Sequence, residues 1–117
     1  MRTLDRILSS LLILGGIGHT FGSLAIYQST PETLLWSLCT SLFIFLLGAV
    51  NFVRAGRPGD RALAWLSLVF NLCWFAAGFY FGRIVIHHVL DFRVMIFAVL
   101  TLGLSAMSVR TMTTERP

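Results

Sequence analysis

His19 sits inside an uninterrupted apolar run, and Ser41, Asn71 and Thr101 sit inside three others. Together an imidazole, two hydroxyls and a carboxamide can hold a small solute or pass a proton. An ionisable side chain within an apolar span is costly, so its presence points to a site. The competing reading is structural. A neutral His bonded to a Ser or Asn of a neighbouring helix is interhelical glue worth about 1 kcal/mol. Haem ligation by two His is not expected, because His87 and His88 belong to the edge of a span rather than its middle.

A second constellation is His87 and Asp91. If residues 84–92 are helical, the two are four apart on one face, a spacing that suits a metal ion, with Glu32 a third ligand from across the opening. The plainer reading pairs them with Arg83, Arg93 and lipid head groups. Cys39 and Cys73 lie in apolar runs, form no C-x-x-C motif and have no neighbouring His. They read as small hydrophobes in packed helices. No nucleophile–base pair and no full ligand set can be assembled, so an enzyme is not the expected function and no cofactor is expected.

The elements that position these residues follow from composition. Of 117 residues, 56% are hydrophobic and 12% charged, the latter about half the share in a soluble domain. A soluble chain of this size buries too little of its surface to hide so much apolar area. Four apolar runs, at about residues 7–27, 34–53, 62–82 and 90–109, each approach the length a membrane-spanning helix needs. Barrel strands would alternate over about 10 residues, and these runs do not. Short connections make antiparallel neighbours. The expected fold class is therefore an all-α membrane protein, a four-transmembrane-helix up-down-up-down bundle forming one domain over residues 1–117. Thr30 or Ser29 with Pro31 should start the second helix and Asp60 the third.

Arg2 and Arg6 before an apolar stretch, with Ser23-Leu24-Ala25 behind it, also fit a secretory signal. The apolar run continues through Ile26, however, which is long enough to span, and a retained first helix is expected. All nine basic residues are Arg, a bias that suits a bacterial source. Arg2, Arg6, Arg54, Arg57, Arg61, Arg110 and Arg116 fall on one side of the predicted bundle, Arg83 and Arg93 on the other. The richer side is expected to be cytoplasmic, with both termini there, in a bacterial inner membrane. The net charge of +4 is thus topology chemistry. It is not a nucleic-acid footprint, which needs a basic stripe with aromatic or polar partners.

Helical wheels give each span one weakly polar stripe: Leu12, Gly15, Gly16, Gly18, His19, Gly22, Ser23 and Ile26; Ser37, Thr40, Ser41, Ile44, Gly48 and Asn51; Ala64, Ser67, Asn71, Trp74, Gly78 and Gly82; Ala98, Thr101, Ser105 and Ser108. The stripes are expected to face inward, with Gly15, Gly18, Gly22, Gly78 and Gly82 allowing close helix packing. Gly18–Gly22 and Gly78–Gly82 are also G-x-x-x-G steps. At 1.5 Å per residue, His19 and Ser41 lie roughly 10–12 Å below the outer end of their spans, and Asn71 and Thr101 roughly 16–17 Å. All four are expected to meet near mid-membrane.

Four spans in so short a chain resemble the small multidrug transporters in size, but the acid of their first span is replaced here by His19. Gly15-Gly16-Ile17-Gly18 looks a little like the start of the small fluoride channels, without their Arg or Phe-rich box. In its four-span outline and Gly-rich first helix the chain is similar to DoxX-like and other small bacterial inner-membrane proteins, a resemblance that transfers no functional residue. The leading expectation is a non-enzymatic bundle that self-associates or serves as an accessory subunit of a larger membrane complex, its partners being the lipid bilayer and other membrane chains. The alternative is binding or transport of a small or lipid-like solute at His19, Ser41, Asn71 and Thr101.

Overall fold

A computed structural model of the protein describes residues 1–114. Arg116, counted above on the Arg-rich side, lies outside the described residues. The described chain is all helical: α1 (Arg2–Ile26), α2 (Pro31–Ala55), α3 (Arg61–Phe81) prolonged by one π-helical stretch (Gly82–Ile86), and α4 (Phe92–Thr113). All four are long and apolar enough to cross a membrane. At about 1.5 Å per residue even α4 covers the roughly 30 Å hydrocarbon layer. This is a multi-pass membrane protein.

Local chemistry sets the helix ends. Pro31 occupies the first turn of α2, where its missing N–H costs nothing. The side chain of Asp60 accepts from the Leu63 amide at 3.1 Å, and that of Asp91 from the Arg93 amide at 3.0 Å, capping α3 and α4. Gly59, at φ 73°, turns the chain between α2 and α3 in a conformation that favours glycine. Thr30 precedes α2 but turns its hydroxyl back to the Tyr27 carbonyl.

The helices exceed the predicted spans at most ends. α2 reaches Ala55, so Arg54 belongs to the helix rather than to the following loop. The third span runs on to Ile86 before His87, in the left-handed region at φ 59°, ends it.

The weakly polar stripes largely form the interior. Leu12, Gly16, Ser41, Gly48, Asn51, Ala64, Ser67, Asn71, Ala98, Thr101, Ser105 and Ser108 are buried, while Leu14, Ile17, Phe21, Leu42, Leu46 and Leu102 point outward. Hydroxyls that would be stranded away from water bond back to their own helix. Ser9, Thr20, Ser105, Ser108 and Thr111 each donate to the carbonyl four residues earlier. The cysteines differ from expectation: Cys39 and Cys73 are free and exposed. A thiol is apolar enough to face lipid as readily as a core.

α1 packs along most of α2, and α3 along most of α4, and the two pairs touch over a shorter length. Asp5 meets Arg54, the backbone around Ser9 and Ile13 meets Gly48, and His19 meets Ser41. Numbers rising along α1 thus pair with numbers falling along α2, as in antiparallel neighbours. Burial is uneven along the bundle. None of residues 31–40 of α2 or 72–81 of α3 is buried, whereas Ser41, Ile44, Leu47, Gly48, Asn51, Arg54 and Ala55 of α2 are. The half of the molecule nearer the Arg-rich end is tightly packed and the other half is looser.

Gly48 is the tightest point of the packed half. A Cβ there would stand 2.6 Å from Ile13 Cγ1 and 3.4 Å from the Ile13 amide and the Ser9 carbonyl. Ile13 is β-branched and has little rotamer freedom in a helix. Gly48→Ala is therefore expected to lower stability by about 1–3 kcal/mol. Gly78→Ala, where a Cβ meets nothing within 4 Å, should be neutral or stabilising by up to about 1 kcal/mol. Unfolding of both variants by SDS titration in mixed micelles checks the contrast.

Candidate functional site

The polar chemistry of the bundle gathers at two levels separated by an apolar layer. Leu12, Ile44, Leu47, Leu100 and Leu104 form that layer, with Phe43, Trp74 and Phe97 packed against it. Phe43 stacks on Trp74 at 5.2 Å between ring centroids, and Phe97 meets Trp74 edge-on at 6.3 Å.

On the looser side of this layer, His19 Nδ1 and Ser41 Oγ are 2.8 Å apart. One turn along α1, Ser23 donates to the His19 carbonyl, and its hydroxyl meets that of Ser37. These bonds fasten α1 to α2. Asn71 and Thr101 do not join them. Thr101 is fully buried but donates to the carbonyls of Phe97 and Ala98 on its own helix. The Phe97 ring lies against Gly15, 3.1 Å from where a Cβ would be, so an aromatic ring fills the space between α1 and α4 one turn from His19. Asn71 pairs elsewhere. The third span ends at Ile86 rather than at Gly82, which puts Asn71 roughly 22 Å from its outer end and well below His19.

The second level is an ionic network that the sequence reading did not single out. Arg54 is fully buried and Asp5 nearly so. Arg54 Nη1 donates to Asp5 Oδ2 at 3.0 Å and to Thr111 Oγ1 at 2.9 Å. Arg54 Nη2 donates to Asp5 Oδ1 at 2.5 Å and to Asn51 Oδ1 at 3.2 Å. Asn51 and Asn71 exchange carboxamide hydrogen bonds at 3.1 and 3.0 Å, and Asn51 Nδ2 also reaches the Leu47 carbonyl at 2.9 Å. One connected network thus joins Asp5 of α1, Asn51 and Arg54 of α2, Asn71 of α3 and Thr111 of α4. Among the described residues only Arg54 Nε, Ser67 Oγ and Trp74 Nε1 are buried side-chain polar atoms without a partner.

A signal for this network is present in the sequence. Extending the α1 stripe backwards from Leu12 by helical steps gives Ser9 and Asp5, and extending the α2 stripe beyond Asn51 gives Arg54. An acid and a base ending two adjacent inward stripes is a pairing pattern. Treating Arg54 as a loop charge concealed it.

The network opens on a cavity of about 130 Å³ lined by Arg2, Asp5, Arg54, Ala55, Pro58, Arg110, Thr111 and Thr114. A shallower, mainly apolar depression of about 330 Å³ lies along Thr3, Arg6, Ile7, Ser10 and Leu11.

His87 and Asp91 do not share a helical face, because the helix ends at Ile86 and the next begins at Phe92. Asp91 Oδ1 instead takes Arg93 Nε at 2.8 Å. That hydrogen bond holds its carboxyl below the usual carboxylate range. A carboxyl depressed by folding stabilises above its ordinary range and loses that contribution as pH falls through its folded pKa. Here the effect is small because the pair is exposed. No group of three or more His, Cys, Asp or Glu able to hold a metal occurs among the described residues. Of the glycines, Gly15 and Gly82 stand at close contacts, with Phe97 and Val94 respectively. A Cβ at Gly18, Gly22 or Gly78 would meet nothing within 4 Å.

Removing one member of a buried ion pair strands the other charge, at a cost of about 3–5 kcal/mol, whereas replacing both with apolar residues is often neutral. Asp5→Leu and Arg54→Met are each expected to destabilise by that amount, and the double variant by distinctly less than either. A double-mutant cycle from SDS-induced unfolding checks the sign of the coupling.

Compared with family models, curated proteins and solved structures, the chain matches none.

Proposed function

We propose that the protein is a non-enzymatic bacterial inner-membrane bundle, its four helices crossing up-down-up-down with both termini in the cytoplasm, that works by associating with a second copy of itself. The observation carrying this reading is the face of α1 bearing Gly18 and Gly22. Small residues in membrane helices serve close backbone approach, and these two approach no described residue within 4 Å of a Cβ position. Gly78 of α3 is bare in the same way. The well-packed half already holds the monomer together, so the bare glycines are free for an intermolecular contact. Orientation rests on charge. Arg2, Arg6, Arg54, Arg57, Arg61 and Arg110 fall at the start of α1, around the α2–α3 connection and at the end of α4, and Arg83 and Arg93 around the connection into α4, and the Arg-rich side of a membrane protein is the cytoplasmic one.

Single-molecule photobleaching of tagged protein in native membranes tests the reading. Wild type is expected to show dimers or larger assemblies. Gly18→Leu with Gly22→Leu should weaken association roughly tenfold, the 1–2 kcal/mol scale of such contacts, without loss of helicity. Monomers only, in the wild type, would refute self-association. A fixed complex with a different chain would leave the accessory-subunit form of the reading.

A further inference from the structure

We propose that the cavity at the Arg-rich end is an anion site that takes a phosphate group, supplied by an anionic phospholipid head group or by free phosphate. Three arginines, Arg2, Arg54 and Arg110, line it against one acid, Asp5. Arg54 and Asp5 neutralise each other through paired hydrogen bonds. That leaves Arg2 and Arg110 as exposed cations facing the same hollow, neither of them in a side-chain hydrogen bond or ion pair with another described residue.

Geometry favours an anion there. Arg2 opens α1, whose N-terminal end carries partial positive charge. Arg2 Nη2 and Arg6 Nη2 lie 3.7 and 3.9 Å from the Cβ position of Gly56, beyond the end of α2. The guanidinium of Arg6 is committed to the Phe52 ring at 5.5 Å. Arg110 comes from the last turn of α4. A group held between Arg2 and Arg110 would therefore join the first and last helices at the membrane surface. The hollow, at about 130 Å³, equals the liquid volume of roughly four waters, which suits a phosphate. Guanidinium groups bind phosphate oxygens in pairs of parallel hydrogen bonds. The Thr111 and Thr114 hydroxyls border the hollow but are already committed as donors to the Met107 and Arg110 carbonyls, leaving their lone pairs unhelpful to an anion. Recognition thus rests on the two arginines. Basic hollows between helices on the cytoplasmic side are where anionic head groups bind. The inference does not depend on self-association.

The test uses the full chain in nanodiscs of equimolar phosphatidylglycerol and phosphatidylcholine, released for native mass spectrometry. In parallel, thermal unfolding is followed in an uncharged detergent, with inorganic phosphate against chloride at equal ionic strength. Wild type is expected to retain phosphatidylglycerol in preference to phosphatidylcholine. Arg2→Gln with Arg110→Gln should weaken that retention roughly thirtyfold. Arg2→Lys with Arg110→Lys should restore part of it, and Arg61→Gln with Arg83→Gln should leave it unchanged. If phosphatidylglycerol is not retained but phosphate raises the wild-type melting temperature and not that of Arg2→Gln with Arg110→Gln, the site stands and its ligand is free phosphate. Equal retention of both lipids with no effect of phosphate, or retention unaffected by Arg2→Gln with Arg110→Gln, would overturn the proposal.

Discussion

A buried arginine with a fully desolvated guanidinium must be matched almost donor for donor, and the packed half of this bundle is organised around that requirement. Four N–H groups of Arg54 are used: two by the Asp5 carboxylate, one by Thr111 and one by Asn51. Asn51 in turn has both amide hydrogens and its carbonyl oxygen engaged, through Leu47, Asn71 and Arg54. Each partner lies on a defined turn of a defined helix. A slide of α1 or α2 by one turn would part the ion pair and leave a charge in a low-dielectric interior, and a slide of α3 or α4 would strip a neutral hydrogen-bond partner from the set. Hydrophobic contact gives little register between helices already surrounded by lipid. The polar network supplies it, and the Leu12, Ile44, Leu47, Leu100 and Leu104 layer then packs in the register so fixed.

The consequences reach both ends of the molecule. Toward the Arg-rich side, the pairing of Arg54 with Asp5 leaves Arg2 and Arg110 as the charges around a small hollow that no described residue pairs. Toward the other side the described residues form no such network. There α1 and α2 are tied by the His19–Ser41 and Ser23–Ser37 contacts, and α3 meets the start of α4 where Gly82 lies against Val94. The helix pairs are held within themselves more than to each other, and Gly18, Gly22 and Gly78 of that half remain uncovered by the described residues. A bundle fixed at one end and loosely joined at the other suits an association surface better than a preformed solute pocket. Of the four residues that would line such a pocket, His19 and Ser41 share one polar level, Asn71 belongs to the other, and Thr101 bonds only within its own helix.

Much of this was legible in the sequence, and the failures have physical causes. The four spans follow from apolar run length, because lipid forces backbone hydrogen bonds to close within each helix. The inward stripes follow from the helical period, and Ser41, Gly48, Asn51, Ser67, Asn71 and Thr101 are buried as their positions imply. What the period does not give is the vertical offset between helices. A third span ending at Gly82 would put Asn71 near the depth of His19, whereas the π-helical extension to Ile86 puts it at the level of Asn51. Arg54 was obscured because arginine plays two roles near a membrane, a surface charge that sets topology and a buried hydrogen-bonding hub. Only its exact helical phase, one residue before the end of α2, distinguishes them. The glycine steps were visible as a motif, but which of them pack internally depends on which neighbours arrive. Phe97 covers Gly15 and Val94 covers Gly82, while Gly18, Gly22 and Gly78 stay bare.

The central claim, that Arg54 is a desolvated hub locked by Asp5, is tested most directly by the ¹⁵N–¹H spectrum of protein labelled at arginine and held in lipid nanodiscs. The Arg54 signals are assigned by their loss in Arg54→Lys. Bidentate pairing predicts separate, slowly exchanging Nη proton resonances for Arg54, which collapse to one averaged signal in Asp5→Asn. An Arg54 whose Nη protons are already averaged and exchange with water in the wild type, as those of a solvated guanidinium do, would contradict the account.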